Sequence, residues 1–317
     1  MSLRLDTAAA AALLADTDRI HILTHASPDG DTLGSGFALC RALRQLGKQA
    51  QVLCPDPIPA KFQYMTVEEQ TFEPAFYCSV DVASPHLLGR YEPLAEQVEL
   101  AIDHHANRTD FGKRLLLTDY GAAAMLVFEL LQVMHVTVDA DMAACLYTGL
   151  STDTGCFKYT NTSPLTLRMA ADLIELGAPA GMINREMFDT KSRARLALER
   201  EALGSLQFAF HDRCAVMALP LSVQQAVGAD EGDMDGIAPL PRQIEGVWVG
   251  ITLREKERGT YKVSVRTDEH IDAAAVCSRL GGGGHARAAG CTVTASLEEA
   301  TAQLLEMVAA VLPEIAL

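Results

Sequence analysis

Along the first half of the chain, short apolar runs alternate with longer stretches in which apolar residues recur every three to four positions. The runs at 19–24, 49–53, 75–80, 98–102 and 115–118 read as strands. The segments 33–46, 122–134, 140–150 and 164–176 carry the helical period. Near the N-terminus an Ala/Leu stretch at 8–15, preceded by Asp6-Thr7 and followed by Asp16 and Asp18, reads as a capped amphipathic helix. Alternation of this kind predicts an α/β fold with a mainly parallel, helix-covered sheet. Ligands of such sheets sit beyond the carboxyl ends of the strands.

The pattern changes at 191–206, KSRARLALEREALGSL, which reads as one polar helix with few apolar positions. Beyond it, strands at 214–219, 247–254 and 261–266 and helices at 272–279 and 297–312 outline a smaller α/β domain. A length of 317 residues suits two domains. The expected division is 1–190, a helical connector at 191–205, and 206–317. The acidic, Gly-containing segment GADEGDMDG (228–236) is expected to be a solvated mobile loop, because Pro239 stands where a calcium loop needs its twelfth ligand.

Composition narrows the function. At 49% hydrophobic and 21% charged residues the chain can bury real cores. Its net charge of −15 argues against a broad duplex-DNA or membrane-surface binder, which needs clustered positive charge. A small phosphorylated substrate stays open, since a few local cations overrule the net charge. No apolar run reaches the length of a membrane span, and the N-terminus lacks the basic start of a signal peptide. Eight cysteines without a C-x-x-C pair read as buried reduced thiols, which gives a cytoplasmic expectation.

Chemistry-bearing residues collect at the ends of the expected strands. The first strand runs into His25 and then Asp29-Gly30-Asp31; the third ends at Asp81; the fourth ends at Asp103-His104-His105; a later helix leads into Thr152-Asp153-Thr154-Gly155. One Asp after a strand is usually a helix cap or turn residue, but four such places on one sheet edge make a cluster. Carboxylates and imidazoles without thiolates suit Mn²⁺ or Mg²⁺ rather than structural zinc. Two such ions about 3.5–4 Å apart can clamp the attacking and leaving oxygens of a phosphoryl displacement. In the second half, the run Gly281-Gly282-Gly283-Gly284 followed by His285 and Arg287 would let backbone amides approach an anion. Arg266 is the side chain best suited to grip phosphate with its planar fork. His21, His86, His135, His211 and His270 read as ordinary surface or core residues, and the single Trp248 as core, not a base-stacking platform.

The H-x-x-x-D-G-D, strand-end Asp, D-H-H and T-D-T-G motifs resemble those of the DHH phosphoesterase superfamily. GGGGHARAAG (281–290) and YKVSVRT (261–267) are similar to its DHHA1 domain. The motifs span residues 25–290. The resemblance implies that His25, Asp29 and Asp81 hold one Mn²⁺, and that Asp31, Asp81, His104 and Asp153 hold the other, with Asp81 bridging; Mg²⁺ or Co²⁺ are the substitutes. It implies that Asp103 orients an imidazole, that His105 faces the substrate and assists the leaving oxygen, and that a metal-bound hydroxide attacks phosphorus in line. Arg266, Gly282, Gly283, Gly284, His285 and Arg287 would bind substrate.

Within the superfamily, the two-domain form resembles the bacterial oligoribonuclease (nanoRNase) and pAp phosphatase type. The implied substrates are RNAs of two to five nucleotides and 3′-phosphoadenosine 5′-phosphate (pAp). Long duplex nucleic acid and membranes are not expected partners, and a homodimer is compatible with this reading. A cyclic- or linear-dinucleotide phosphodiesterase is the alternative activity. A non-catalytic nucleotide sensor is the alternative of another class, and its expected mark, a lost metal ligand, is absent here.

Overall fold

The computed structural model describes residues 2–234 and 236–313, and its contacts divide the chain into two units, Met1–Thr190 and Lys191–Leu317. The first is built on strands β1 (Leu3–Leu5), β2 (Arg19–Leu23), β3 (Gln49–Leu53), β4 (Phe76–Val80), β5 (Val98–Asp103) and β6 (Arg114–Leu117). They lie in the order β1-β6-β5-β4-β2-β3, and every pairing is parallel. A parallel sheet has to be covered on both faces, and the apolar residues are distributed accordingly. On one face Ile20, Ile22, Val80 and Ile102 pack against the helices α1 (Thr7–Ala15), α2 (Gly30–Gln45), α3 (Ala123–Val133), α4 (Ala140–Asp153) and α5 (Pro164–Glu175), with the short α6 (Ala180–Asn184) beside α4. On the other, Leu23, Val98, Ala101 and Leu115 meet Phe111 and Leu88 and Ala95 of a 3₁₀ segment, Pro85–Gln97.

The five expected strands of this unit and its four main helices are present, with ends shifted by up to three residues. The strand β1 is an addition. It is three residues long and gains its place by pairing with β6, anchored where the Ser2 hydroxyl donates to Asp110 at 2.6 Å. Asp6 caps α1, accepting from the amide of Ala9 at 2.8 Å. α2 and α4 cross so closely that a Cβ on Gly34 would stand 2.3 Å from the Cys145 carbonyl oxygen. That crossing sets the spacing of two of the proposed ligands, because α2 carries Asp31 and α4 ends on Asp153.

The second unit holds α7 (Arg193–Gly204), β7 (Gln207–Ala209), β8 (Cys214–Leu219), α8 (Leu221–Ala226), β9 (Val249–Glu257), β10 (Thr260–Thr267), α9 (Ala273–Ser278), β11 (Gly283–His285), β12 (Ala288–Thr294) and α10 (Leu297–Ala309). Its sheet runs β11-β12-β10-β9-β8-β7 and is mixed, with β8 and β9 parallel and the other pairs antiparallel. Val249, Ile251, Val263 and Val265 form one core with Val276 of α9 and Leu304 and Val308 of α10.

Two segments make more contacts than their polar composition suggests. The segment expected to be a connector packs inside this unit: Leu198 and Ala202 of α7 are fully buried against Met217, Leu219 and Ile237. The described part of the acidic segment 228–236 is mostly exposed, as expected, but it is also tied to the unit by several contacts. Glu231 pairs with Arg254 and Lys256, Asp230 and Asp233 exchange hydrogen bonds with each other's amides, and Ala229 and Met234 join the core under α7; Asp235 lies outside the described residues. All eight cysteines are free thiols, six of them buried. No described helix is long and apolar enough to cross a membrane.

Candidate metal centre

The carboxyl ends of β2, β4 and β5 and the tip of α4 bring six side chains to one place. Asp29 is the N-cap of α2, accepting from the amides of Asp31 and Thr32 at 3.0 and 3.1 Å. Asp31, two positions further on in the first turn, is buried; its carboxylate accepts from the amides of Ala123 and Ala124 at 2.6 and 2.9 Å and thereby caps α3. Asp81 follows β4 in the left-handed region (φ 57°), a conformation that Asp tolerates and most residues resist. The turn aims its carboxylate sideways, and it is almost wholly buried.

The two imidazoles are oriented from behind. His25 donates from Nδ1 to the Ala26 carbonyl at 2.9 Å, and His104 donates from Nδ1 to the Tyr120 carbonyl at 3.0 Å. A carbonyl only accepts, so each donation fixes the tautomer and leaves Nε2 as the free atom. His25 Nε2 faces Asp29 at 3.5 Å and Asp81 Oδ2 at 3.6 Å. His104 Nε2 faces Asp31 at 3.8 Å, Asp81 Oδ1 at 3.4 Å and Asp153 at 3.5 Å. The two oxygens of Asp81 therefore address two different histidines.

An Nε2 lone pair aimed at carboxylates is repulsive unless a proton or a cation lies between them. Asp81 Oδ1 and His104 Nε2 are both buried without a hydrogen-bond partner. Their separation is close to the ~3 Å expected of neighbouring ligands around an ion bound at about 2.1 Å. Taken alone, the protein resolves the conflict with protons. Burial opposes charge on His25, yet Asp29 and Asp81 lift it to about 11. Burial likewise opposes charge on His104, which Asp81 and Asp31 lift to about 10. Asp31 is raised well above the carboxylate range by burial and by Asp81 and Asp153. Asp153 is pushed by burial to about 6, with His104 pulling against the rise. Donor type, tautomers and orphaned atoms all fit a divalent-cation centre.

Asp103 faces the other way. Its Oδ1 accepts from the amides of His104 and His105 and from His105 Nδ1 at 2.8 Å, while Oδ2 accepts from Arg108 Nε at 2.9 Å. Burial disfavours its charge, but His105 and Arg108 hold it below the usual range. His105 is half exposed, lifted by its bond to Asp103, and its Nε2 has no protein partner among the described residues. The sequence does not single out Arg108. It is buried, its guanidinium 5.2 Å from the Phe111 ring centre. Two further side chains steady the loops around the site. Asn161 Nδ2 donates to the Gly121 and Asp153 carbonyls, steadying the Asp153 turn, and Asp56 accepts from the amide of Ser27, a left-handed residue between His25 and Asp29.

In the second unit the glycine run is partly committed to the fold itself. The Gly281 amide donates to Ser278 and the Gly282 amide to Cys277, and Gly283–His285 pair with Ala288–Gly290. Glycine is required there by contact. A Cβ on Gly282 would stand 2.2 Å from the Gly290 carbonyl oxygen, and Gly284 has φ 147°. Arg287 is likewise engaged, its Nη1 donating to the carbonyls of Asp268 and Ile271. Arg266 lies on β10, its side chain making a single hydrogen bond among the described residues, to its neighbour's carbonyl, and His285 is exposed.

Comparison with known proteins gives an independent view. A model described as the DHH family, N-terminal domain, matches residues 19–150, and one described as the DHHA1 domain matches residues 216–314. A Thermus thermophilus protein named bifunctional oligoribonuclease and PAP phosphatase NrnA is 34% identical over 297 residues, 91% of this chain and 89% of that one. The crystal structure of an exopolyphosphatase-related protein from Bacteroides fragilis superposes with a TM-score of 0.87 at 24% identity, covering 96% of each chain. RecJ from Thermus thermophilus, in complex with Mn²⁺, superposes with a TM-score of 0.60 at 17% identity over 97% of this chain and 55% of its own. At these identities the two structures speak for the fold.

Proposed function

Since the chain belongs to the DHH family, carries its DHHA1 domain and is a phosphoric ester hydrolase, we propose that it hydrolyses RNAs of two to five nucleotides and pAp, using two Mn²⁺ ions. Support for the substrates comes from the Thermus thermophilus relative, whose name carries both activities. Support for the ions comes from one observation above all: two histidines fixed from behind at Nδ1 turn their Nε2 atoms onto the two oxygens of Asp81.

In this reading His25, Asp29 and Asp81 hold one ion, and Asp31, Asp81, His104 and Asp153 hold the other. When bound, the pair supplies Lewis-acid polarisation of the phosphoryl oxygens. The chain's own residues do the rest. Asp31 keeps α2 and α3 in register while contributing to the site. Asp103 holds the His105 ring at Nδ1, so that Nε2 is free to carry a proton to the departing oxygen. Arg108 keeps Asp103 anionic for that purpose. Arg266 and His285 in the second unit grip a substrate phosphate.

The test is metal analysis of the purified protein together with hydrolysis of pAp, a dinucleotide, a cyclic dinucleotide and pyrophosphate in Mn²⁺. Cleavage of the first two well ahead of the others is expected. Preference for the cyclic dinucleotide would select the alternative activity, and no hydrolysis of any of them would return the chain to a sensor.

A further inference from the structure

Trp248 and His270, separated by 22 positions and unremarkable in the sequence, form a parallel stack in the second unit. Their ring centres are 4.3 Å apart and their planes differ by 7°. The Arg213 guanidinium lies 4.9 Å from the indole centre. Such an arrangement on a partly exposed surface needs an explanation, because two aromatic rings more often meet edge-on or offset within a core.

The stack is held rigidly. Trp248 closes onto the strand before it, its amide donating to Arg213 at 2.7 Å, and its carbonyl accepts from Asp268 at 3.1 Å. The His270 amide donates to Asp268 Oδ1 at 3.0 Å, and its ring Nδ1 lies 3.0 Å from the same oxygen. Arg287 bolts the loop in place by donating to the carbonyls of Asp268 and Ile271. The His270 side chain remains 44% exposed, and Trp248 is its one ring partner among the described residues.

Position supplies the meaning. Arg266 is two residues from Asp268 and pairs with Gly250, two residues beyond Trp248. The stack therefore stands at the same end of the sheet as the side chain best suited to grip phosphate. A phosphate at Arg266 would bring an attached base to the neighbourhood of an exposed imidazole plane already backed by indole and guanidinium.

We propose that His270, backed by Trp248 and Arg213, is a stacking shelf for a nucleobase of the substrate. The shelf reads the π-face common to all bases, not hydrogen-bonding edges, so it suits a protein acting on short RNA of any sequence. This rests on the nucleotide substrates proposed above, whose second unit it furnishes with a site for the base as well as the phosphate.

The full chain in Mn²⁺ provides the test, with adenosine 5′-monophosphate and ribose 5-phosphate as probes that differ by the base alone. Trp248 is the single tryptophan, so its fluorescence reports on this place only. Adenosine 5′-monophosphate is expected to change that fluorescence saturably, and ribose 5-phosphate to leave it unaltered. By calorimetry, His270→Ala should weaken adenosine 5′-monophosphate binding about five- to a hundred-fold, the range of base–aromatic stacking. It should leave ribose 5-phosphate unaffected, and His270→Phe should restore the loss. Equal binding of the two probes by the wild type, or unchanged or tighter nucleotide binding by His270→Ala, would overturn the shelf. Hydrolysis of pAp and a dinucleotide, assayed in parallel, separates the two claims. Hydrolysis without base discrimination rejects the shelf alone, and base discrimination without hydrolysis rejects the proposed activity alone.

Discussion

Asp103 shows how one buried side chain can organise a reactive loop. Its two oxygens serve different masters: Oδ1 gathers the amides of His104 and His105 and the His105 ring, and Oδ2 takes the Arg108 Nε. Asp103→Asn preserves one acceptor but sets an uncharged amide against a buried guanidinium. Breaking a buried ion pair on one side costs about 3–5 kcal/mol, so urea denaturation should show a loss of that order. Hydrolysis should fall about 10- to 100-fold, as when an orienting partner of a metal site is removed, while bound metal is retained. Unaltered stability would show that Arg108 does not depend on Asp103. The sequence carries the six clustered carboxylates and imidazoles plainly, because strand ends place them and motif spacing marks them. Arg108 and Asp56 escape notice because their partners are backbone or side-chain atoms that only folding brings near. Trp248 and His270 escape for the same reason, since neither has a local pattern that announces a stack.

At the scale of elements, the centre depends on how closely α2 and α4 cross. A Cβ at Gly34 would stand 2.3 Å from the Cys145 carbonyl oxygen, so Gly34→Ala must push the helices apart. Overpacking of this kind costs about 1–3 kcal/mol, and it should also lower activity, because Asp31 and Asp153 ride on the two helices. Gly181→Ala is the matched control: a Cβ there meets nothing within 4 Å. Chemical denaturation midpoints and rates for both variants check the point, and equal behaviour would mean that the crossing is not critical. The elements themselves were legible wherever a period of two or 3.6 ran long enough to be read. β1 and β11 are three residues each and exist by virtue of their partners, β6 and β12. α7 reads as a connector in the sequence because its surface is mostly polar, yet two buried positions, Leu198 and Ala202, suffice to dock it.

For the whole molecule, the net charge of −15 turns out to be unevenly placed. Residues 1–190 carry 13 basic and 24 acidic side chains, and five of those acids, Asp29, Asp31, Asp81, Asp103 and Asp153, belong to the centre or its support. Acidity that argues against long nucleic acid would thus also build the proposed cation site, and bound divalent ions would turn that site toward phosphate. The claim on which everything else depends is that Asp81 joins two ions. The most direct measurement is the Mn²⁺ content per chain, with pAp and dinucleotide hydrolysis, for the wild type and for Asp81→Ala. Two ions per wild-type chain are expected, with at most one in the variant and hydrolysis lost along with the other. Full occupancy or retained hydrolysis in Asp81→Ala would contradict the account.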